Sequence, residues 1–462
     1  LIEKLEAALD SFDRGVRDDA LGRLIELAEE GKIELAPAGE SVNIHCHTFF
    51  SFNTYGYSPT KFAWLARKSG LAVAGIADFD VLDGLEEFYS ACGRLGLKGV
   101  VGIETRVFIP EFADKEINSP GEPGVSYHMG VGMPNARPEG EAGAFLRRLK
   151  ETAQRRNVEL MGRVNAYLSP VELDYEADVA PLTPAGNPTE RHLCTAYARK
   201  ARAMFASDEA LAGYWQEKLG LGHGQDACDR SHGQDARGTH GQDGHATAAL
   251  GLPEGGKLLN MIRQKTMKQG GAGYVRPDAG AFPTVEEMNR FVLEAGGIAT
   301  HTWLNGMSDG EQDIERLLEV VMSTGAEAIN VIPDRNYAPG VKDEKLTNLY
   351  AVVELAERLD MPVVMGTEMN SPGQKFVDDF ASAELRPLRG VFLKGARIVY
   401  GHTVLQRAAG MGYTSDWAKR HFRTRGEKNA FYAAVGERAG AEVPGGLNAE
   451  MRPDEVLKRF GG

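Results

Sequence analysis

Four short apolar runs in this chain end in a residue that can bind a metal, and a fifth carries one inside it. Ser41–Ile44 leads into His45-Cys46-His47, Val100–Ile103 into Glu104, Gly297–Thr300 into His301, and Pro362–Thr367 into Glu368, while His128 lies within Val125–Met133. Side chains on a strand alternate faces, so His45 and His47 project together from one strand end, in reach of a single ion. Cys46 points the other way and reads as a buried core thiol. A lone His-x-His pair is also what two surface polars on a strand look like; the recurrence of ligand residues at strand ends is what gives the pair weight.

The runs alternate with amphipathic stretches. Val73–Ala77 precedes an expected helix over Leu82–Leu95; helices near Gln312–Thr324 and Leu346–Leu359 precede the runs Ala328–Ile332 and Met361–Met365. Such alternation predicts a parallel sheet covered by helices, with chemistry gathered at the C-terminal strand ends. The expected segments are a helical 1–40, a first barrel part 41–139, an α-rich insertion 140–290, a second barrel part 291–405 and a helical tail 406–462. The insertion is expected to hold helices over Ala142–Arg156, Glu190–Phe205, Ser207–Leu219 and Lys257–Lys268. Within it, His-Gly-Gln-Asp recurs at 223, 232 and 240. That polar, Gly-rich stretch near 222–247 reads as a flexible loop, because repetition without an apolar face cannot pack a core.

With 462 residues and 42% apolar content, the chain can bury one large core or two moderate ones. Its net charge of −13 argues against nonspecific binding to nucleic acid or to an anionic membrane. No run reaches the ~18 consecutive apolar residues of a membrane span. The four scattered cysteines and the lack of a signal-peptide pattern point to a reducing, cytoplasmic setting.

In order along residues 41–376, several motifs resemble those of the polymerase-and-histidinol-phosphatase (PHP) family of metallohydrolases. They are Asn43-Ile44-His45-Cys46-His47-Thr48, Gly75-Ile76-Ala77-Asp78-Phe79-Asp80, Gly102-Ile103-Glu104, Tyr127-His128-Met129-Gly130, Glu294–Ala299 leading into His301, and Gly366-Thr367-Glu368-Met369-Asn370. The resemblance implies a distorted (β/α)7 TIM-like barrel with an α-helical insertion. It implies one divalent ion on His45, His47, Glu104 and Glu368, and a second on Glu104, His128 and His301, with Glu104 bridging. A third site would need ligands at 53, 79 and 370, where this chain has Asn53, Phe79 and Asn370; Phe79 cannot bind a metal, and amide oxygens suit borderline ions poorly. The two ions expected are therefore zinc, manganese or iron.

A carboxylate-bridged pair of ions would activate a water for attack on phosphorus or a carbonyl. Glu104, His128 and His301 are the expected catalytic set, and a small phosphorylated molecule the expected substrate. For a phosphate the candidate cations are Arg335, Arg276 and Arg106, with Lys375 further on, and the amides of Asn53 and Asn370 are candidate substrate contacts. The leading expectation is a metal-dependent phosphoesterase. The same centre cutting a non-phosphate bond, or a non-catalytic metal-binding or ligand-sensing domain, are the competing readings. Asp78 and Asp80 read either as acceptors holding a ligand imidazole in one tautomer or as turn residues. His192 reads as a helix-cap or site-facing residue, and His402, after the strand-like Arg397–Tyr400, as a surface residue with His421.

Overall fold

A computed structural model describes residues 1–220, 255–276, 280–338, 340–341, 343–440 and 443–461. The His-Gly-Gln-Asp repeat lies outside these residues. The described chain divides into two units, one of Leu1–Leu149, Pro277–Met369 and Gln374–Gly462, the other of Lys150–Arg276 and Asn370–Gly373.

The first unit is built on seven strands in sequence order: β1 (Val42–Asn43), β2 (Val73–Phe79), β3 (Gly99–Phe108), β4 (Val125–Val131), β5 (Ile298–Thr302), β6 (Ala328–Val331) and β7 (Val363–Met365). All neighbours run parallel except around β4, which is antiparallel to both β3 and β5. The sheet then curls until its edges meet. Ile44 N–H donates to the Met365 carbonyl at 3.0 Å, Glu368 N–H to the His45 carbonyl at 2.8 Å, and His47 N–H to the Glu368 carbonyl at 2.8 Å. This mixed α/β barrel has no free edge between β1 and β7. The seam needs Gly366, because a Cβ there would sit 2.4 Å from the His45 carbonyl oxygen.

The register defines the two faces. A Cβ on Gly99 would strike Cys92 of the helix Leu85–Leu95, and one on Gly130 would strike Val292 of the helix Val285–Glu294. Odd positions of β3 and even positions of β4 therefore face the outer helices. Glu104 pairs with Met129, and Thr105 with His128. Since side chains of a directly opposed pair share a face, Glu104 points into the barrel and His128 points out.

The helices begin where the sequence supplies caps. Ser58 accepts from Lys61 N–H ahead of Pro59, Thr284 and Glu287 form a reciprocal box, and Asp343 accepts from Leu346 N–H; each such cap contributes about 1 kcal/mol. The expected N-terminal helix is two, Ile2–Ala8 and Arg14–Glu29, because Asp13 caps the second by accepting from Gly15 and Val16. The largest departure is at Arg397–Tyr400. This run is not a strand but part of a 21-residue helix, Arg389–Ala409. His402 is correspondingly buried, with Nε2 3.0 Å from the Gly132 carbonyl and Nδ1 accepting from Tyr413 N–H at 2.8 Å. Its ring is a core connector and not a surface group. His421 is half-buried, its Nδ1 2.9 Å from the Trp417 carbonyl oxygen.

The second unit is α-rich and has its own core. Val164, Leu168, Leu193, Tyr197, Trp215 and Ile262 are buried together from the helices Gly140–Leu168, Glu190–Met204, Asp208–Leu219 and Gly256–Thr266. His192 is the third residue of its helix; its Nδ1 accepts from Thr189 N–H at 3.0 Å. No helix among the described residues is long and apolar enough to cross a membrane.

Candidate metal centre

β1 ends at Asn43, and the chain continues extended through His45 and His47 because Glu368 pairs with the backbone of both. Asn43 fixes the same corner, donating to Thr367 Oγ1 and the Phe376 carbonyl, both at 2.9 Å. The two imidazoles meet Glu104 from β3. His45 Nε2 lies 3.3 Å and His47 Nε2 3.1 Å from Glu104 Oε2, and all three side chains are buried. Their ligand atoms lie within 4.8 Å of one another, close enough for one ion.

The chemistry of the trio fits a cation. Glu104 Oε1 is buried without a hydrogen-bond partner, a state that costs roughly 1–3 kcal/mol. Two nitrogens and a carboxylate are a donor set for zinc, manganese or iron. Burial alone would raise the Glu104 pKa, but the charges and hydrogen bonds of His45 and His47 outweigh it and hold the carboxyl well below its usual range. Burial likewise works against a charged His45, yet Glu104, then Glu368 and Asn330, outweigh it and raise that imidazole.

Around the trio, Asp78 accepts from Thr48 N–H, Thr48 Oγ1 and Ser51 Oγ, each at 2.7 Å. Ser51 Oγ in turn lies 3.4 Å from His47 Nδ1. Asp78 thus organises the loop that follows His47, while Asp80 accepts from Thr105 Oγ1 at 2.5 Å. Asp80 (φ 62°) and Glu368 (φ 57°) both sit in the left-handed region just past β2 and β7. Such conformations cost of order 1 kcal/mol or more and persist where surroundings enforce them. Phe79 stacks on His47, centroids 4.2 Å apart, with Tyr127 6.1 Å beyond. Glu368 is paired by Arg335, and Gln374 Nε2 donates to it at 3.1 Å.

His128 and His301 are brought together with each other but not with Glu104. They are register partners on the outer face, ring centroids 6.0 Å apart, and His128 Nε2 lies 2.6 Å from Asn289 Oδ1 of the helix Val285–Glu294. The expected bridging by Glu104 is absent from this geometry, because Glu104 points through the other side of the sheet. Burial lowers the pKa of His128 to about 4; burial and the neighbouring His128 lower that of His301 to about 3.

Of the candidate substrate contacts, Arg335 pairs with Glu368. Arg106 pairs with Glu122 at 2.8 Å and lies over the Phe282 ring. The Asn53 amide is engaged locally, donating to the His47 carbonyl at 2.8 Å and accepting from Tyr55 and Tyr57 N–H. Arg276 and Asn370 belong to the second unit, Arg276 exposed and Asn370 buried. Sequence reasoning overlooked Asn289, Thr302 and Asn330, all buried polar residues; the one available signal was an amide inside the apolar run Ala328–Val331.

The interior strand ends of this α/β barrel converge on two histidines and a carboxylate that could hold a metal ion. Residues 43–171 match the family model of the PHP domain. An amidohydrolase from Chromobacterium violaceum, solved with sulfate and no metal, is 16% identical with a TM-score of 0.47, over 73% of this chain and 91% of that one. A protein from Bifidobacterium adolescentis, provisionally assigned as a metal-dependent phosphoesterase, is 16% identical with a TM-score of 0.44, over 77% and 98%. No curated protein matches the chain.

Proposed function

We propose that the chain is a metal-dependent hydrolase of phosphate esters, with a divalent ion held by His45, His47 and Glu104. The observation that carries this reading is the buried trio whose ligand atoms lie within 4.8 Å of one another, with Glu104 Oε1 left without a partner. The PHP domain over residues 43–171 supports it. Bound there, an ion would supply Lewis acidity and lower the pKa of water toward neutrality.

The chain's own residues do the rest. Glu104 stays ionised because both imidazoles favour its charged form. Phe79 covers one face of His47 and keeps water from it. Arg335, about a third exposed beside Glu368, offers a planar guanidinium to phosphate oxygens. Glu368 holds Arg335 in place and is a candidate for a further ligand. A second ion shared between Glu104, His128 and His301 gains no support from the strand register, which sets those histidines on the opposite face.

The test is a screen of protein loaded with zinc, manganese or iron against phosphomonoesters, phosphodiesters and amides. Phosphoester turnover that a chelator and Glu104→Gln both abolish is the expected result. Turnover of amides alone would move the reading to a non-phosphate bond. Tight metal binding without turnover of any class would leave a ligand-sensing domain.

A further inference from the structure

The loop that follows His47 is anchored by residues that precede the PHP match. The His47 carbonyl accepts from Asn53 Nδ2 at 2.8 Å, and Phe49 N–H donates to the Tyr57 carbonyl at 2.9 Å, so residues 47–57 close on themselves. Ser58 then ends the loop against the N-terminal helical segment. Its N–H donates to Asp10 Oδ1 at 3.1 Å and its Oγ to the Leu9 carbonyl at 2.5 Å. Phe49 is the apolar anchor of the loop, only 4% exposed. Its ring meets Phe50 with centroids 5.0 Å apart. From the N-terminal segment come Phe12, edge-on at 5.4 Å, and the Arg17 guanidinium, 5.2 Å from the ring centroid.

Arg17 is itself held on all sides. It and Glu87 are each 3% exposed. Its Nε donates to Glu87 Oε1 at 2.9 Å and its Nη2 to Glu87 Oε2, while Nη1 donates to the Ser11 carbonyl at 2.6 Å. Glu87 Oε1 also accepts from Thr60 Oγ1 at 2.7 Å and from Thr60 N–H at 3.2 Å. One ion pair thereby joins the helices Arg14–Glu29, Pro59–Lys68 and Leu85–Leu95. As a source of stability such a pair is poor, because desolvating two charges offsets most of their attraction. What it supplies is orientation: two parallel bonds fix the guanidinium plane, and a desolvated cation against a ring attracts that ring to one place.

We propose that Arg17 is a positioning residue for His47. Arg17 holds Phe49, and Phe49 holds the loop. The loop in turn holds the His47 peptide, whose carbonyl is bonded by Asn53 and whose N–H is bonded to Glu368. The N-terminal helices thus brace the metal centre from outside residues 43–171. This rests on the ion assigned above to His45, His47 and Glu104.

The experiment, on the full chain, measures affinity for zinc, manganese and iron in turn by chelator competition. Unfolding midpoints and hydrogen exchange at the Phe49 amide are read on metal-free protein. Arg17→Met combined with Glu87→Gln leaves no carboxylate unpaired. It should weaken metal binding about tenfold, as loss of a group behind a ligand histidine does, and speed exchange at Phe49. Leu24→Ala opens a buried position about 10 Å further along the same helix. It should lower the midpoint and leave both metal affinity and Phe49 exchange unchanged. Arg17→Lys keeps the charge without the planar fork and should show an intermediate loss; it stands in if the double variant does not fold. Wild-type affinity in the double variant (or in its stand-in), or an equal loss in Leu24→Ala, would overturn the proposal. If wild-type protein binds none of the three ions, the metal reading fails instead. Exchange at Phe49 then decides alone, and equal rates in wild type and variant would show that Arg17 does not hold the loop.

Discussion

Phe79 lies over the imidazole of His47 with 22° between the ring planes. An apolar ring thus occupies one side of the buried His47 imidazole, and Tyr127 continues the aromatic surface. Phe79→Ala should cost about 0.5–1.5 kcal/mol for the lost ring pair, beyond any burial term. Denaturant unfolding of metal-free protein measures it. An unchanged midpoint would show that the stack contributes no stability.

Arg335→Ala should reduce kcat/KM on a phosphate ester by roughly 2–4 kcal/mol of transition-state stabilisation. Arg335→Lys should recover only part, since an ammonium lacks the planar two-pronged geometry. Both follow from steady-state kinetics on the best ester found. Equal activity in wild type and both variants would place the anion site elsewhere.

Glu104→Gln and His45→Ala should each strip the inner-face ion, as read by elemental analysis after gel filtration. His128→Gln should leave that ion in place, because its ring lies on the other face of the sheet. Loss of the same ion in His128→Gln would mean that the two faces communicate through the strand.

His128 and His301 have folded-state pKa values lowered to about 4 and about 3. A depressed base favours its neutral form in the fold, so its contribution is full above the unfolded value of about 6.5. It is lost as pH falls from there through 4 and 3. Metal-free protein should therefore lose stability on acidification across this range, and His301→Leu should flatten the slope. Urea midpoints at stepped pH decide it.

Glu311 runs the other way. This buried carboxylate accepts from Leu304, Asn305 and Gly306 N–H at 2.6, 2.9 and 2.8 Å, tying down the loop after β5. Burial outweighs those bonds and pushes its pKa up to about 7. The fold thus favours the protonated acid, so stability declines as pH rises from about 4.5 to 7. Glu311→Gln should remove that decline, by on the order of 3 kcal/mol at most, in the same urea series.

The inner-face trio was legible because i and i+2 on a strand share a face whatever the strand pairs with, and because Glu104 ends a run of its own. The facing of His128 was not legible. It depends on the β3–β4 register, and a slip of one residue would turn every side chain of β4 over. Arg397–Tyr400 misled for a different reason: the run Ile398-Val399-Tyr400, β-branched and aromatic, looks alike in a strand and in a buried helix, and only the length of Arg389–Ala409 separates them. Asn330 and Thr302 escaped because their place beside one another in the barrel interior is set by the β5–β6 register.

The seam that shuts the barrel is also its thinnest join, since β1 has two residues and β7 three. Glu368 stitches it with the same backbone groups that hold His45 and His47 in line. Breathing of the barrel and release of a cation would then be one event. Amide protons of His47 and Glu368 should exchange with solvent early in metal-free protein and late once an ion is bound.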